Sequence, residues 1–323
     1  MKRSLFLNTL VALCAVASST LALAQSWPTK PVKLVLGAPA GTAPDTAARI
    51  MAERLGALWG QPILIENKPG AGGMIAMESV KSAAPDGYTL MFAHAGAVLV
   101  TPKLLKAAKY DPVNDFATLG FVADSPMVIV ANNEIGGKSL AELISAAKAK
   151  PGQIAFGSTE TGTLPFLVGH GLSDTTGITL QHVPFNQPAT AIQSLVKGDL
   201  QYYVDGIAPL LPLVKSGRMR AIAVTSDKRL TGLEDIPLIK DTVPGYVAVG
   251  WFALMGPKGL PADMAQKINR DMNQVLAQPE VVSKYRDISL FSTARNQAES
   301  ATLMKSEVER WAATIRKAGL EAQ

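Results

Sequence analysis

Cysteine and histidine are scarce in this sequence, and their scarcity excludes several kinds of site. The 323 residues include one cysteine, Cys14, which lies in an apolar N-terminal segment, and three histidines. No His-Glu-x-x-His pattern occurs, and no acidic cluster has the spacing of metal ligands. We therefore expect a mature protein with no disulfide, no thiol nucleophile, no metal site and no cofactor.

Patterns for nucleotides, membranes and nucleic acids are also missing. The glycine-rich turns match neither the phosphate-binding P-loop nor the Gly-x-Gly-x-x-Gly turn that binds dinucleotides. After residue 24, no stretch reaches the ~18 uninterrupted apolar residues of a membrane-spanning helix. The formal net charge of +5 is not concentrated in a basic run, so no nucleic-acid partner is predicted.

The segment Met1–Ala24 has the pattern of a cleaved signal peptide. Lys2 and Arg3 give it a positive start, and the residues that follow are mostly apolar. Ala22-Leu-Ala24 matches the small-x-small pattern of a cleavage site. We predict cleavage after Ala24 and a periplasmic protein. The rest of the chain is long enough to bury a large core and to form two domains.

The stretch Val32–Gly60 combines a buried strand, a small-residue loop and a helix. Val32–Leu36 is apolar, and Gly37–Asp45 contains no bulky side chain. Thr42 can cap the helix, and Pro44 suits its first turn because the missing N–H is not needed there. Such a helix N-terminus binds anions through free N–H groups, although an ordinary connection between strand and helix has the same pattern.

The same design recurs in the second half of the chain. The strand Ile154–Gly157 is followed by the hydroxyl-rich loop Ser158–Thr163 and by a helix with Pro165 in its first turn. Strands and helices alternate elsewhere too, which predicts an α/β fold with largely parallel sheets. Two long extended stretches, Phe121–Asn132 and Tyr246–Met255, are predicted to cross between two lobes.

Few residues have the setting of a catalytic or ligand-contacting group. Ser158 does not lie in the Gly-x-Ser-x-Gly motif of the hydrolase elbow. His94 follows a strand in a small-residue turn and can reach a ligand, whereas His170 lies in a predicted helix. Phe185, at a strand end, can form a cleft wall. Core packing is expected for the tryptophans in apolar stretches, Trp59, Trp251 and Trp311.

Several segments, taken in order, carry a family resemblance. The N-terminal ones are Trp27-Pro-Thr-Lys-Pro31, Ala40-Gly-Thr-Ala-Pro-Asp45 with Ala48-Arg49, Glu66-Asn-Lys-Pro-Gly-Ala-Gly-Gly73 and Pro85-Asp-Gly-Tyr-Thr-Leu90. The later ones are Tyr110-Asp-Pro112 with Asp115-Phe116, His182-Val-Pro-Phe185 and Arg220-Ala-Ile-Ala-Val-Thr-Ser226. In order and spacing they resemble the Bug substrate-binding proteins of tripartite tricarboxylate transporters.

This resemblance implies a two-lobed, type II periplasmic-binding-protein fold, in which each lobe is a mainly parallel sheet flanked by helices. The lobes would close on a small organic carboxylate. Lobe 1 would comprise residues 25–124 and 250–323, and lobe 2 would comprise residues 125–249.

The resemblance also assigns ligand contacts, residue by residue. In the first lobe they are Pro39, Ala40, Gly41, Thr42, Asp45, His94, Ala95 and Gly96. In the second lobe they are Ser158, Thr161, Gly162, Thr163, Phe185 and Asp205. The sequence departs from the family where Thr42 replaces a glycine, where Phe185-Asn-Gln replaces Tyr-Lys-Gly, and where Glu160 adds an acid to the second loop.

The function implied is that of a monomeric, non-catalytic receptor. Its ligand would be a di- or tricarboxylate, an aromatic acid or an amino acid, and its partners would be membrane subunits of the transporter. The alternative is an exported hydrolase of similar fold that uses Ser158 and a histidine. Because neither loop contains lysine or arginine, we predict that amides of Gly41–Asp45 and hydroxyls of Ser158, Thr161 and Thr163 hold the carboxylate.

Overall fold

A computed structural model of the protein describes residues 27–159, 163–185 and 187–322. The predicted signal peptide, its cleavage site and the loop residues Glu160, Thr161 and Gly162 lie outside the described residues. The strands are β1 (Val32–Leu36), β2 (Ile63–Asn67), β3 (Thr89–His94), β4 (Phe116–Ser125), β5 (Met127–Ala131), β6 (Ala155–Thr159), β7 (Gln181–Phe185), β8 (Tyr202–Gly206), β9 (Arg220–Val224), β10 (Gly250–Pro257) and β11 (Phe291–Ser292).

The helices alternate with these strands. They are α1 (Ala43–Trp59), α2 (Met74–Lys81), α3 (Thr101–Leu104), α4 (Leu140–Ala149), α5 (Leu164–Thr176), α6 (Pro188–Lys197), α7 (Ile207–Lys215), α8 (Ile239–Thr242), α9 (Ala262–Leu276), α10 (Pro279–Asp287) and α11 (Gln297–Lys317). A short π-helical segment, Gly96–Val100, precedes α3. Among the described residues, no helix is both long enough and apolar enough to span a bilayer.

The strands form two sheets, one in each lobe. The strand order is β11-β4-β10-β3-β1-β2 in the first sheet and β7-β6-β8-β5-β9 in the second. Strand β1 pairs in parallel with β2 and β3, and β6 pairs in parallel with β7 and β8. The strands at the crossovers, β4, β10 and β5, pair antiparallel with their neighbours. The predicted two-lobed α/β fold is confirmed, but each sheet is mixed because the crossing strands enter it in the opposite direction.

The chain passes between the sheets at two places. Strand β4 ends at Ser125 in the first sheet, and β5 begins at Met127 in the second, with Pro126 between them. The first crossover is therefore as predicted. On the return, strand pairing begins at Gly250 rather than at the predicted Tyr246. Tyr246 is held in a turn instead, because its N–H donates to Val243 O at 3.1 Å.

The predicted lobe boundaries lie close to the two crossovers: residue 124 is one residue before the end of β4, and residue 249 is one residue before the start of β10. Helix α11 spans this division: it contacts β4 and the π-helical segment in the first lobe and α5 in the second. Its residues Met304, Trp311 and Ile315 are buried in a core cluster that contains residues of both sheets. How the chain divides between moving lobes stays a prediction.

Candidate functional site

A cavity of about 580 Å³ lies between the two lobes. Its first-lobe wall is made by the loop after β1, the segment after β3 and the start of β10, and its second-lobe wall by β5 and the start of α5. The lining residues are Gly37, Ala38, Pro39, Thr42, Pro44, Gly72, His94, Ala95, Gly96, Val100, Thr101, Ser125, Met127, Thr163, Leu164, Pro165, Gly250, Trp251 and Phe252.

The loop after β1 is fixed from behind by the carboxylate of Asp45. This buried carboxylate accepts a hydrogen bond from Gly41 N–H at 2.9 Å, from Arg49 Nε at 2.9 Å and from Asn67 Nδ2 at 2.9 Å. The Arg49 hydrogen bond is the main reason that the pKa of Asp45 falls from 3.8 to about 2. Asp45 and the Gly41 amide are therefore engaged with each other, and neither residue lines the cavity.

Other amides of this loop remain available. Thr42 does not cap α1 with its side chain as predicted, because its hydroxyl donates to Pro39 O at 2.7 Å. The backbone N–H groups of Thr42, Ala43 and Asp45 belong to the first turn of α1, which has no earlier carbonyl within the helix to bind them. Thr42 and Pro44 line the cavity, so this helix start faces it.

Replacing Asp45 by alanine is expected to lower the free energy of unfolding by about 3 kcal/mol, because three hydrogen bonds to one charged group are lost. The folded-state pKa of Asp45 is depressed, so its contribution is present above the ordinary carboxyl pKa and disappears as the pH falls from about 4 to about 2. Urea unfolding of wild type and Asp45→Ala across that pH range measures both effects.

Asp263 supplies the matched control, because it is an exposed aspartate in the first turn of α9. The Asp263→Ala change should cost about 0.5 kcal/mol or less at neutral pH. Equal costs for the two variants would show that Asp45 does not fix the loop.

His94, the last residue of β3, presents a neutral ring to the cavity. Its Nδ1 accepts a hydrogen bond from Ala97 N–H at 3.2 Å, so the ring proton lies on Nε2. Burial lowers the pKa of His94 to about 4, and the ring is therefore neutral at pH 7. Within the described part of the chain, His94 Nε2 has no hydrogen-bond acceptor, so it can donate to a ligand.

Two glycines leave room for this ring. A Cβ added to Gly73 would lie 3.0 Å from His94 Nε2, and one added to Gly96 would lie 3.1 Å from His94 Nδ1. Gly73 also has a φ of 93°, a conformation that favours glycine. The glycine-rich turn before α2 therefore determines the position of the His94 donor.

The other polar side chains of the lining differ in the hydrogen bonds that they make within the protein. Thr101 Oγ1 donates to Gly72 O at 2.9 Å, and Thr163 Oγ1 lies 2.9 Å from Thr159 Oγ1 and accepts from Phe166 N–H, which caps α5. The hydroxyl of Ser125 makes no hydrogen bond to any described residue. Ser125 and His94 are thus side chains whose donors are open to the cavity.

The structure brings together about half of the site residues that the sequence predicted. Those that line the cavity are Pro39, Thr42, His94, Ala95, Gly96 and Thr163. Six other predicted site residues lie in the described part of the chain but do not line the cavity: Ala40, Gly41, Asp45, Ser158, Phe185 and Asp205. Thr161 and Gly162 lie outside the described residues.

In the second lobe, three predicted site residues have structural contacts instead. Ser158 is 0% exposed, and its hydroxyl donates to Thr159 O at 2.7 Å. Asp205 accepts from Tyr203 Oη at 2.7 Å and from Gly206 N–H at 2.7 Å, and burial raises its pKa. Phe185 packs against the hydrophobic cluster of that lobe. These residues support the wall of the second lobe, and their ligand contacts remain a prediction.

The apolar part of the lining was not predicted from the sequence. It consists mainly of Val100, Met127, Leu164, Pro165, Trp251 and Phe252. Trp251 is buried, as predicted, but it also forms a wall of the cavity. The two predicted crossovers could have indicated the lining residues near them, because residues at the point where a chain passes between lobes must border the cleft.

A cleft bordered by two α/β lobes, with loops at the carboxyl ends of parallel strands facing it, defines a bilobed solute-binding protein. Residues 47–320 match the model of the tripartite tricarboxylate transporter family receptors. The chain belongs to that family, and the resemblance seen in the sequence is confirmed.

Relatives and solved structures agree with this assignment. BugT of Bordetella pertussis is 29% identical over 92% of this chain and 91% of its own length. The structure of Rpa4515 of R. palustris with adipate is 28% identical, covers 92% of this chain and 100% of that one, and has a TM-score of 0.77. MatC of Rhodopseudomonas palustris with bound malate is 27% identical, covers 90% and 100%, and has a TM-score of 0.73.

Proposed function

We propose that this protein is an exported receptor that captures a small organic carboxylate between its lobes and delivers it to the membrane subunits of a tripartite tricarboxylate transporter. It performs no catalysis and acts as a monomer. Export is supported by the signal-peptide pattern of Met1–Ala24, and delivery is supported by the family to which the chain belongs.

The proposal rests on hydrogen-bond donors that are open to the cavity. None of the described side chains that line this cavity is charged. The amides of Thr42, Ala43 and Asp45 lie at the start of α1, where the helix dipole favours an anion. His94 Nε2–H and the Ser125 hydroxyl add two side-chain donors. Burying a carboxylate is costly unless hydrogen bonds replace its water, and this group of donors can do so without an ion pair.

The ligands of two neighbours support the same class of solute. Rpa4515 was solved with adipate and MatC with malate, and both are carboxylates held by proteins of this fold. The donors present here suit any carboxylate group. They therefore indicate the charged group of the ligand but not the rest of it.

Isothermal titration with a panel of mono-, di- and tricarboxylates tests the proposal. We expect at least one carboxylate to bind and to be recovered unchanged. We also expect His94→Phe to weaken that binding by about tenfold, because phenylalanine keeps a ring but removes one donor, a loss of about 1.4 kcal/mol. His170→Phe is the matched control, since His170 does not line the cavity. A panel with no binder would contradict the proposal, as would equal losses in the two variants.

One observation bears on the alternative of a hydrolase. Ser158 Oγ lies 2.8 Å from His182 Nε2, which is the spacing of a nucleophile and its base. However, the Ser158 hydroxyl also donates to Thr159 O at 2.7 Å, and in the tautomer that carries its proton on Nε2, His182 donates to Ser158 Oγ and is not a base. Ser158 is also fully buried. Conversion of a carboxylate ester that is lost in Ser158→Ala would favour the hydrolase.

A further inference from the structure

Building on the proposed function, we infer that Glu307 is a positioning residue for ligand binding: it does not line the ligand cavity, but it holds the Trp251 ring, which does. Glu307 lies on α11, and Trp251 lies on β10. The solute would therefore meet an apolar wall whose position depends on a carboxylate that the solute never touches.

A second, smaller cavity adjoins the ligand cavity at this ring. Its volume is about 150 Å³, and Trp251 lines both cavities. Six charged side chains line the second cavity, Glu307 and Arg310 among them, whereas none of the described side chains that line the ligand cavity is charged. The Trp251 ring, which is 4% exposed, therefore borders an uncharged cavity and a charged one.

The carboxylate of Glu307 accepts hydrogen bonds from three side chains. Its Oε2 accepts from Trp251 Nε1 at 3.2 Å and from Trp311 Nε1 at 3.3 Å. Its Oε1 accepts from Arg310 Nε at 3.1 Å and from Arg310 Nη2 at 2.7 Å. Arg310 Nη1 donates in turn to Val247 O at 2.7 Å, in the segment that leads back to β10. Both carboxylate oxygens are thus held, and the acceptor for the Trp251 indole has a fixed position on α11.

Two contacts on the side of the second cavity determine the orientation of the Trp251 ring. The indole N–H donates to Glu307, and among the described residues no other acceptor binds it. The ring also packs edge to face against Phe121, with centroids 4.9 Å apart and planes at 76°. Because a buried N–H without an acceptor is unfavourable, loss of the Glu307 acceptor should turn the ring away from its present position. The wall of the ligand cavity would then change shape.

The expected sign of the effect distinguishes this role from a simple effect of charge. Glu307 carries a negative charge near a site for an anion, so its removal should strengthen carboxylate binding if charge alone mattered. The ion pair with Arg310, at 2.7 Å, offsets part of that charge. If Glu307 positions Trp251, its removal should instead weaken binding, because the ligand meets a displaced wall.

Glu307→Leu tests this role in a double-mutant cycle with Trp251→Phe, which keeps an aromatic ring but has no N–H for Glu307 to hold. Hexanoate, adipate and citrate are titrated into each protein. With Trp251 present, we expect Glu307→Leu to weaken binding of the tightest of the three by about tenfold. In the Trp251→Phe protein, the same change should alter the affinity by less than about twofold.

Glu309→Leu is the matched control for charge. It removes the same charge from an exposed position on α11 that lines neither cavity, and it should keep the wild-type affinity. Equal losses from Glu307→Leu with and without Trp251 would show that Glu307 acts on the fold and not through this ring. No loss, or tighter binding, would also overturn the inference, and all of these outcomes leave the proposed function intact. If none of the three acids binds, both fail.

Two conservative variants separate the position of the acceptor from its charge, and they keep the test decisive if Glu307→Leu does not fold. Glu307→Gln keeps the length and an amide oxygen for the indole N–H, and Arg310, whose side chain is 41% exposed, can turn to water. We expect its affinity to stay within about threefold of wild type. Glu307→Asp keeps the charge but withdraws the acceptor by one methylene group, and we expect it to weaken binding by about tenfold. The reverse order, with Glu307→Asp binding more tightly than Glu307→Gln, would overturn the inference.

Discussion

Ala43→Pro is expected to weaken carboxylate binding by about ten- to a hundredfold, the value of one hydrogen bond to a charged group, about 1.5–3 kcal/mol. Ala43 is the first residue of α1 and lies between two residues that line the cavity. Proline there removes one backbone N–H and adds no side-chain charge. The helix should tolerate the change, because that N–H has no partner within the helix and proline is common at this position.

The local backbone is also compatible with this substitution. Thr42 has φ −78° and ψ 164°, an extended conformation that a following proline accepts. The change therefore separates ligand binding from folding more cleanly than a side-chain deletion in the loop would.

Ala262→Pro is the matched control for this experiment. Ala262 is likewise the first residue of a helix, α9, and Pro261 before it is extended, with φ −54° and ψ 137°. It does not line the cavity, so titration should show wild-type affinity. If Ala43→Pro folds and binds as tightly as Ala262→Pro, the amides of this helix start do not hold the ligand.

Trp311→Ala is expected to lower the free energy of unfolding by about 3–5 kcal/mol, the usual cost of deleting a buried tryptophan side chain. Trp311 is 2% exposed on α11, and it belongs to the core cluster that contains residues of both sheets. The substitution should therefore destabilise both lobes. Urea unfolding at neutral pH measures the change in the free energy of unfolding.

An exposed residue provides the comparison for Trp311. Leu58→Ala removes an apolar side chain that is 43% exposed on α1, and it should change the free energy of unfolding by about 0.5 kcal/mol or less. A cost below about 1 kcal/mol for Trp311→Ala would mean that α11 is not packed across the two lobes, since burial of this ring is what the larger cost measures.

Much of the fold could be predicted from the sequence because it is encoded locally. Apolar runs such as Val32–Leu36 and the helical spacing that follows them determine the strands and helices without reference to the rest of the chain. The extended stretch Phe121–Asn132 predicted the first crossover, because it too is a local feature of the sequence. Strand direction is not local: the antiparallel pairing of β10 with β3 and β4 depends on how the chain returns from the second lobe.

The candidate site could be predicted in part, because its loops are local features of the sequence whereas its hydrogen bonds are not. Small-residue loops after parallel strands located the first-lobe wall, including Thr42 and His94. The sequence does not reveal which donors are used internally. The Gly41 N–H donates to the Asp45 carboxylate, and the Ser158 hydroxyl donates to the backbone oxygen of Thr159. Nor does periodicity indicate that Trp251 is a cavity wall as well as a core residue.

A crystal structure of the protein with a bound carboxylate from the titration panel tests the central claim most directly. We predict that the ligand lies in the cavity between the lobes, with carboxylate oxygens within hydrogen-bond distance of the amides of Thr42, Ala43 or Asp45 and of His94 Nε2. A carboxylate bound outside that cavity, or paired with an arginine and far from the start of α1, would contradict the account.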